Sequence, residues 1–226
     1  MNSLTLISIL LTIVVYIGAM KLARLVRSPF TNPVLTTTIV LITILHFSGV
    51  SYQEYSPAKD WISSLLGPAT VALGVPLYKN RDIIKEKMVP AAIGILIGTL
   101  STIVSAVWLS KALQLPEDIQ AASAVKAVTT PVAIDTVKII GGDPTLAAAF
   151  VIASGIFGAI FAPILLSVAN ISDPFSRGLS VGTVSHGIGT SQIMVEGPIQ
   201  GAVSSVAMGT AAIITPIILP VIFRFL

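Results

Sequence analysis

The 226-residue chain has no cysteine, which excludes a disulfide framework, a thiol nucleophile and any thiolate metal site. Charge is also scarce. Asp, Glu, Lys and Arg make up 10% of the residues, against about a quarter in a soluble domain, too few to cover a water-facing surface. Aromatics are at 6% and there are two histidines, so no structural metal site can assemble from His and Cys, and no cofactor is expected. No basic stripe is interleaved with aromatics, so the net charge of +3 does not point to nucleic acid. H-E-x-x-H, a Walker A loop and a post-strand G-x-G-x-x-G are all missing. Ser123-Ala124-Val125-Lys126 matches S-x-x-K but lacks the S-D-N and K-T-G partners that give that motif chemistry, so no enzymatic activity is expected.

What the chain does have is long apolar segments. Hydrophobic residues make up 54% and the mean hydropathy is +0.94, with runs near the ~20 residues that span a bilayer. The expected fold is an all-α polytopic membrane protein, one domain over 1–226, with about eight membrane segments at 3–20, 33–50, 61–78, 88–110, 119–140, 145–169, 176–195 and 201–225. The first run is followed, not preceded, by Lys21, Arg24 and Arg27, the reverse of a secretory signal peptide, so it reads as a retained helix. The positive-inside rule places the basic stretches 21–32 and 79–87 in the cytoplasm. That requires 61–78 to cross.

Three segments are interrupted: 61–78 by Gly67-Pro68, Gly74 and Pro76; 119–140 by Thr129-Thr130-Pro131 with Lys126 and Asp135 on either side; and 176–195 by Gly182 and the stretch Ser185-His186-Gly187-Ile188-Gly189-Thr190. Broken backbone at membrane depth is tolerated only where protein or a water-filled cavity covers it, and such breaks mark transport sites. The order of strong span, broken span, strong span occurs twice, at 33–110 and 145–225. This predicts a two-repeat transporter-like pseudo-symmetry with halves near 1–113 and 114–226. Proline frees the carbonyl four residues back, and half-helix N-termini carry partial positive charge, so the breaks suit an anion; a packing kink is the plainer reading of any single proline.

Two readings stand for each polar residue. Lys126 is an anchor for a carboxylate, with Thr129 and Thr130 hydroxyls beside it, or a snorkelling lysine. If it is an anchor, substrate or Asp135 would balance its charge. His186 couples protons or bonds substrate, or it is a buried histidine bonded to a neighbouring carbonyl. Asp135 and Lys138, three apart, are expected to pair on one helix face. Asn32-Pro33 reads as a helix cap, His46 as interfacial, and Glu196 beside Gly197-Pro198 as a loop residue.

The stretches Gly67-Pro68-Ala69-Thr70-Val71-Ala72-Leu73-Gly74-Val75-Pro76-Leu77-Tyr78-Lys79, Lys126-Ala127-Val128-Thr129-Thr130-Pro131-Val132-Ala133-Ile134 and Ser185-His186-Gly187-Ile188-Gly189-Thr190, with Asn32-Pro33 and Gly141-Gly142, resemble the signature stretches of the LrgB/CidB family over nearly the whole chain. The resemblance implies a multi-pass protein of the bacterial cytoplasmic membrane, antiholin-like and linked to murein hydrolase export and cell lysis. It also implies transport of small monocarboxylates such as pyruvate or glycolate, since the family is related to half of a plastid glycolate/glycerate carrier. It further implies a small LrgA/CidA-type holin-like partner; a homo-oligomer is expected as well. The family motif often has Ala after the His, where this chain has Gly187. On the broken-helix reading, the expected substrate contacts are Lys126, Thr129, Thr130, Ser185, His186, Gly187, Gly189 and Thr190. Asn32, Pro33, Gly67, Pro68, Pro76, Pro131 and Gly182 shape the breaks.

Overall fold

A computed structural model describes residues 2–26, 31–65, 68, 71–72, 74–79 and 81–226. In the signature stretch 67–79, residues 67, 69, 70 and 73 lie outside the described residues. The described residues form helices and turns: α1 (Ser3–Leu25), α2 (Pro33–Phe47), α3 (Tyr52–Ser64), α4 (Gly74–Lys79), α5 (Arg81–Glu86), α6 (Met88–Ala112), α7 (Glu117–Ala124), α8 (Thr130–Ile139), α9 (Pro144–Val168), α10 (Pro174–Ile193) and α11 (Pro198–Ile222). They fall into two compact units, Met1–Leu73 and Gly74–Leu226.

In the first unit α1 packs on α2 and α3. Asn32 caps α2 by accepting from the Val34 and Leu35 N–H groups, with Pro33 pre-set at the first helical position. Ser51 and Glu54 form a reciprocal capping box on α3. Thr12 and Tyr55 hydroxyls meet at 3.0 Å between α1 and α3. Most large side chains of α1 face outward, Ile7 and Val14 among them, as suits a helix whose solvent is lipid.

The second unit holds the interrupted segments 119–140 and 176–195. The expectation of eight crossing segments is narrowed here: among the described residues four helices (α1, α6, α9 and α11) are long and apolar enough to cross. Two of the broken segments fold back on themselves. The α7 and α8 helices have 8 and 10 residues, about half a bilayer each at 1.5 Å per residue. Past α8, a Cβ built on Gly142 would lie 2.6 Å from the Ala121 Cβ of α7, so the chain leaves on the side where it entered. Glycine at 142 is what allows that approach.

α10 does the same about a kink. Its backbone breaks at His186, with φ 40° and ψ −139°. Beyond the break, a Cβ on Gly189 would sit 2.9 Å from Val181 Cγ1, whereas residues eight apart in a straight helix are about 12 Å apart. Leg 174–185 also runs parallel to the start of α11: Gly178 faces the Gln200 carbonyl and Gly182 that of Ser204. Leg 187–193 must therefore return to where α10 began. Arg177 at its start and Glu196 after its end form an ion pair, which closes the base of the hairpin.

The two hairpins enter from opposite ends of α9. The base of α7–α8 adjoins the α9 N-terminus, in an apolar cluster with Ala121, Val137, Ala147 and Leu219. Arg177 at the base of the second hairpin bonds Pro163 and Ser167 near the α9 C-terminus. The flanking helices agree with this. Lys111 at the end of α6 contacts the Leu226 carbonyl, while Lys87 at its start pairs with Asp173 at 3.7 Å.

Candidate functional site

Both hairpin tips meet the middle of α9. Residues 125–129, between α7 and α8, form the first tip. The Lys126 carbonyl accepts from Ser154 Oγ at 2.6 Å, and the same hydroxyl lies 3.2 Å from the Val151 carbonyl one turn back. That carbonyl also accepts from His186 Nε2, at 2.9 Å. Three short contacts across one turn of α9 thus join the two interruptions, which the sequence leaves 60 residues apart.

Lys126 projects the other way, its ammonium donating to the Thr102 carbonyl of α6 at 3.0 Å. No carboxylate among the described residues pairs with it. Asp135, the sequence candidate for that partner, instead pairs with Lys138 at 3.5 Å on an exposed face. A lone cation held by one carbonyl at membrane depth is costly, and it leaves two of its three N–H donors for other acceptors. Thr129 is the N-cap of α8, but its hydroxyl makes no cap bond, so the first turn of that helix gets no capping bond from it; Thr130 and Pro131 are its first residues, and Pro131 has no N–H. Cation and helix N-terminus both favour an anion.

The second tip is packed through glycines. A Cβ on Gly155 of α9 would lie 2.6 Å from His186 Cε1, and one on Gly158 would lie 1.8 Å from Ser185 Oγ. His186 is 3% exposed and donates through Nε2, so the neutral ring has Nδ1 as acceptor; of its two readings, the carbonyl-bonded one is the geometry seen. Thr190 donates to the His186 carbonyl at 2.7 Å, and its oxygen lies 2.8 Å from Ser204 Oγ on α11, tying the returning leg to that helix. Gly187 lies 3.7 Å, by its built Cβ, from Met208 Sδ. Ser185 Oγ is buried without a partner, as is Thr99 Oγ1 on α6. Ser185 also lines an apolar cavity of about 250 Å³ with Phe157, Phe161 and Val184.

The structure thus brings Lys126, Thr129 and Thr130 together at one tip and Ser185, His186, Gly187, Gly189 and Thr190 at the other. Gly182 serves helix packing against Ser204. Asn32 and Pro33 belong to the first unit, Pro76 lies in α4, and Gly67 is outside the described residues. Sequence reading did not find Thr102, Val151 and Ser154, which look like ordinary residues of apolar helices. It also missed Arg177, 9% exposed, with Glu196 on its Nε and Nη2 at 2.7 Å each. A signal for that pair existed: the two charges flank His186 at nearly equal distance, as the legs of a hairpin require.

No solved structure matches the chain. It is 37% identical to the uncharacterized protein YxaC of Bacillus subtilis over 93% of this chain and 92% of that one. It is 33% identical to YwbG of the same organism over 97% and 98%. The holin-like protein CidB of Staphylococcus aureus is 31% identical over 96% and 95%. The LrgB-like family matches residues 12–225, and the chain, a multi-pass membrane protein, belongs to that family.

Proposed function

We propose that the chain carries small monocarboxylates of the pyruvate or glycolate kind across the bacterial cytoplasmic membrane, with an LrgA/CidA-type membrane protein as partner. The observation that carries the reading is the meeting of two opposed re-entrant tips at the centre of α9, one of them holding a lysine without a carboxylate partner among the described residues. Half-helix N-termini and unwound backbone at the midplane are how secondary transporters bind charged cargo. Lys126 and the N-terminus of α8 recognise the carboxylate, and the Thr129 and Thr130 hydroxyls add hydrogen bonds. His186 holds the second tip against α9 and offers Nδ1 to a proton or to substrate. The pseudo-symmetry then takes a narrower form than the half-chain repeat: α6 with the first hairpin, and α9 with the second, form an inverted pair.

The test is uptake of labelled pyruvate and glycolate into proteoliposomes, with and without the partner. Saturable uptake is expected, abolished in Lys126→Ala and reduced by up to about tenfold in Thr129→Ala, the scale of one neutral hydrogen bond. Unchanged uptake in Lys126→Ala removes the site assignment. The name of the staphylococcal relative, holin-like, supports a second reading: an antiholin-like regulator of murein hydrolase export and lysis with no substrate of its own. Absence of uptake by protein and partner together, with lysis control retained in cells, selects it.

A further inference from the structure

Four carbonyl or carboxylate oxygens and one hydroxyl converge on Arg177. Its Nη1 donates to the Ile171 carbonyl at 2.9 Å and Ser167 Oγ at 3.3 Å, and its Nη2 to the Pro163 carbonyl at 3.2 Å. These contacts fix the inbound leg of the second hairpin to the end of α9. The same leg is fixed elsewhere by contacts with no slack. Gly178 and Gly182 lie against the α11 backbone, and Gly94 and Gly98 of α6 against Leu179 and Thr183. The returning leg, 187–193, is buried at Thr190 and Ile193 but has no cluster of acceptors at its base like the one around Arg177. Thr190 bonds Ser204, Met194 touches Gly201, and Ser191 is exposed. At its end the chain turns over 194–197 before α11 begins. Among the described residues Glu196 is the one charged group that ties this end back to the inbound leg, and its side chain is 27% exposed where that of Arg177 is 10% exposed.

We propose that Glu196 is the latch of a gate. Its bidentate bond to Arg177 keeps the returning leg closed over the hairpin tip, and parting that pair opens the tip to the face that carries the start of α6. Arg177 keeps three other acceptors when Glu196 leaves, so the inbound leg stays in place and only the returning leg swings. Glu196 is a positioning residue, acting on the tip through the leg. The purpose of the gate rests on the carrier reading, but its movement is measured without substrate.

The absence of cysteine makes the test direct. Thr190→Cys puts a single thiol near the tip, where Thr190 is 1% exposed. Val195→Cys puts one where the surface is 80% exposed. Each is labelled in the full chain, in membrane vesicles of both orientations, with a membrane-impermeant maleimide. Adding Glu196→Ala should speed labelling at 190 by about tenfold or more from the second-hairpin face only, the scale of a lost charge-assisted bond pair. Labelling at 195 should not change. Glu196→Gln, which keeps hydrogen-bonding atoms but loses the charge, should fall between. Unchanged labelling at 190 in a folded Glu196→Ala protein overturns the latch, and so does equal acceleration from both faces. If Glu196→Ala does not fold, Glu196→Gln decides by the same criteria, and failure of both to fold assigns the pair to stability and also overturns the latch. Uptake without latch behaviour removes the gate and leaves the carrier; latch behaviour without uptake does the reverse.

Discussion

At the residue scale the second hairpin turns on one backbone. His186 sits at φ 40°, ψ −139°, where a side chain other than glycine's is strained by roughly 1–3 kcal/mol. Glycine lies next door at 187, so a glycine at 186 would make the same turn at lower cost. The imidazole that occupies the position spans to the Val151 carbonyl, and that bond offsets the strain. His186→Ala loses the bond and keeps the strain; His186→Gly loses the bond and relieves the strain. We expect the glycine variant to unfold at higher denaturant than the alanine variant, by about 1–3 kcal/mol in detergent. Equal stability of the two would mean that the turn is unstrained. The sequence marks His186 as unusual because it is an ionisable residue inside an apolar segment. It does not say that the residue is the turn itself, because φ and ψ at one position depend on where both legs are packed.

At the element scale the packing of α10 is set by glycines that face backbone. Gly178 and Gly182 form a small-xxx-small pattern, the kind that lets membrane helices approach closely. A Cβ at 182 would fall 2.2 Å from the Ser204 carbonyl oxygen and 2.7 Å from its Cα, and a helix backbone cannot give way as a side-chain end does. Gly209 in α11 has nothing within 4 Å of its built Cβ. Gly182→Ala should therefore destabilise by about 1–3 kcal/mol or more, while Gly209→Ala should be neutral or stabilising by about 0.5–1 kcal/mol. Thermal unfolding in detergent checks both, and a harmless Gly182→Ala would refute the parallel packing of the inbound leg on α11. The positions of the breaks were legible, since Thr129-Thr130-Pro131 and Ser185–Thr190 disrupt apolar periodicity visibly. Their direction was not. A break records where helical geometry stops, and whether the chain then continues or returns is decided by long-range contacts such as Gly142 on Ala121 and Arg177 on Glu196. Each of those looks ordinary in its own segment.

At the scale of the whole molecule, re-entrance changes which loops share a face. If 117–139 and 174–193 crossed, Leu113 would lie on the face of Ala169, and Ile139 on that of Val195. If they fold back, Leu113 pairs with Ile139 and Ala169 with Val195, and the two pairs lie on opposite faces. All four positions are exposed, each sits at or beyond a helix end, and none holds either hairpin in place, so single cysteines there should leave the fold intact. Impermeant maleimide applied to vesicles of known orientation should label 113 and 139 from one side and 169 and 195 from the other. The basic run Lys79, Arg81, Lys85 and Lys87 leads into the start of α6, on the face of the second hairpin base. Positive residues stay in the cytoplasm, so 169 and 195 should react from the cytoplasmic side and 113 and 139 from outside. The alternating pattern, with 113 and 169 together, would dissolve both hairpins. The tips could not then meet on α9 from opposite faces, and the site would have to be sought elsewhere in the chain.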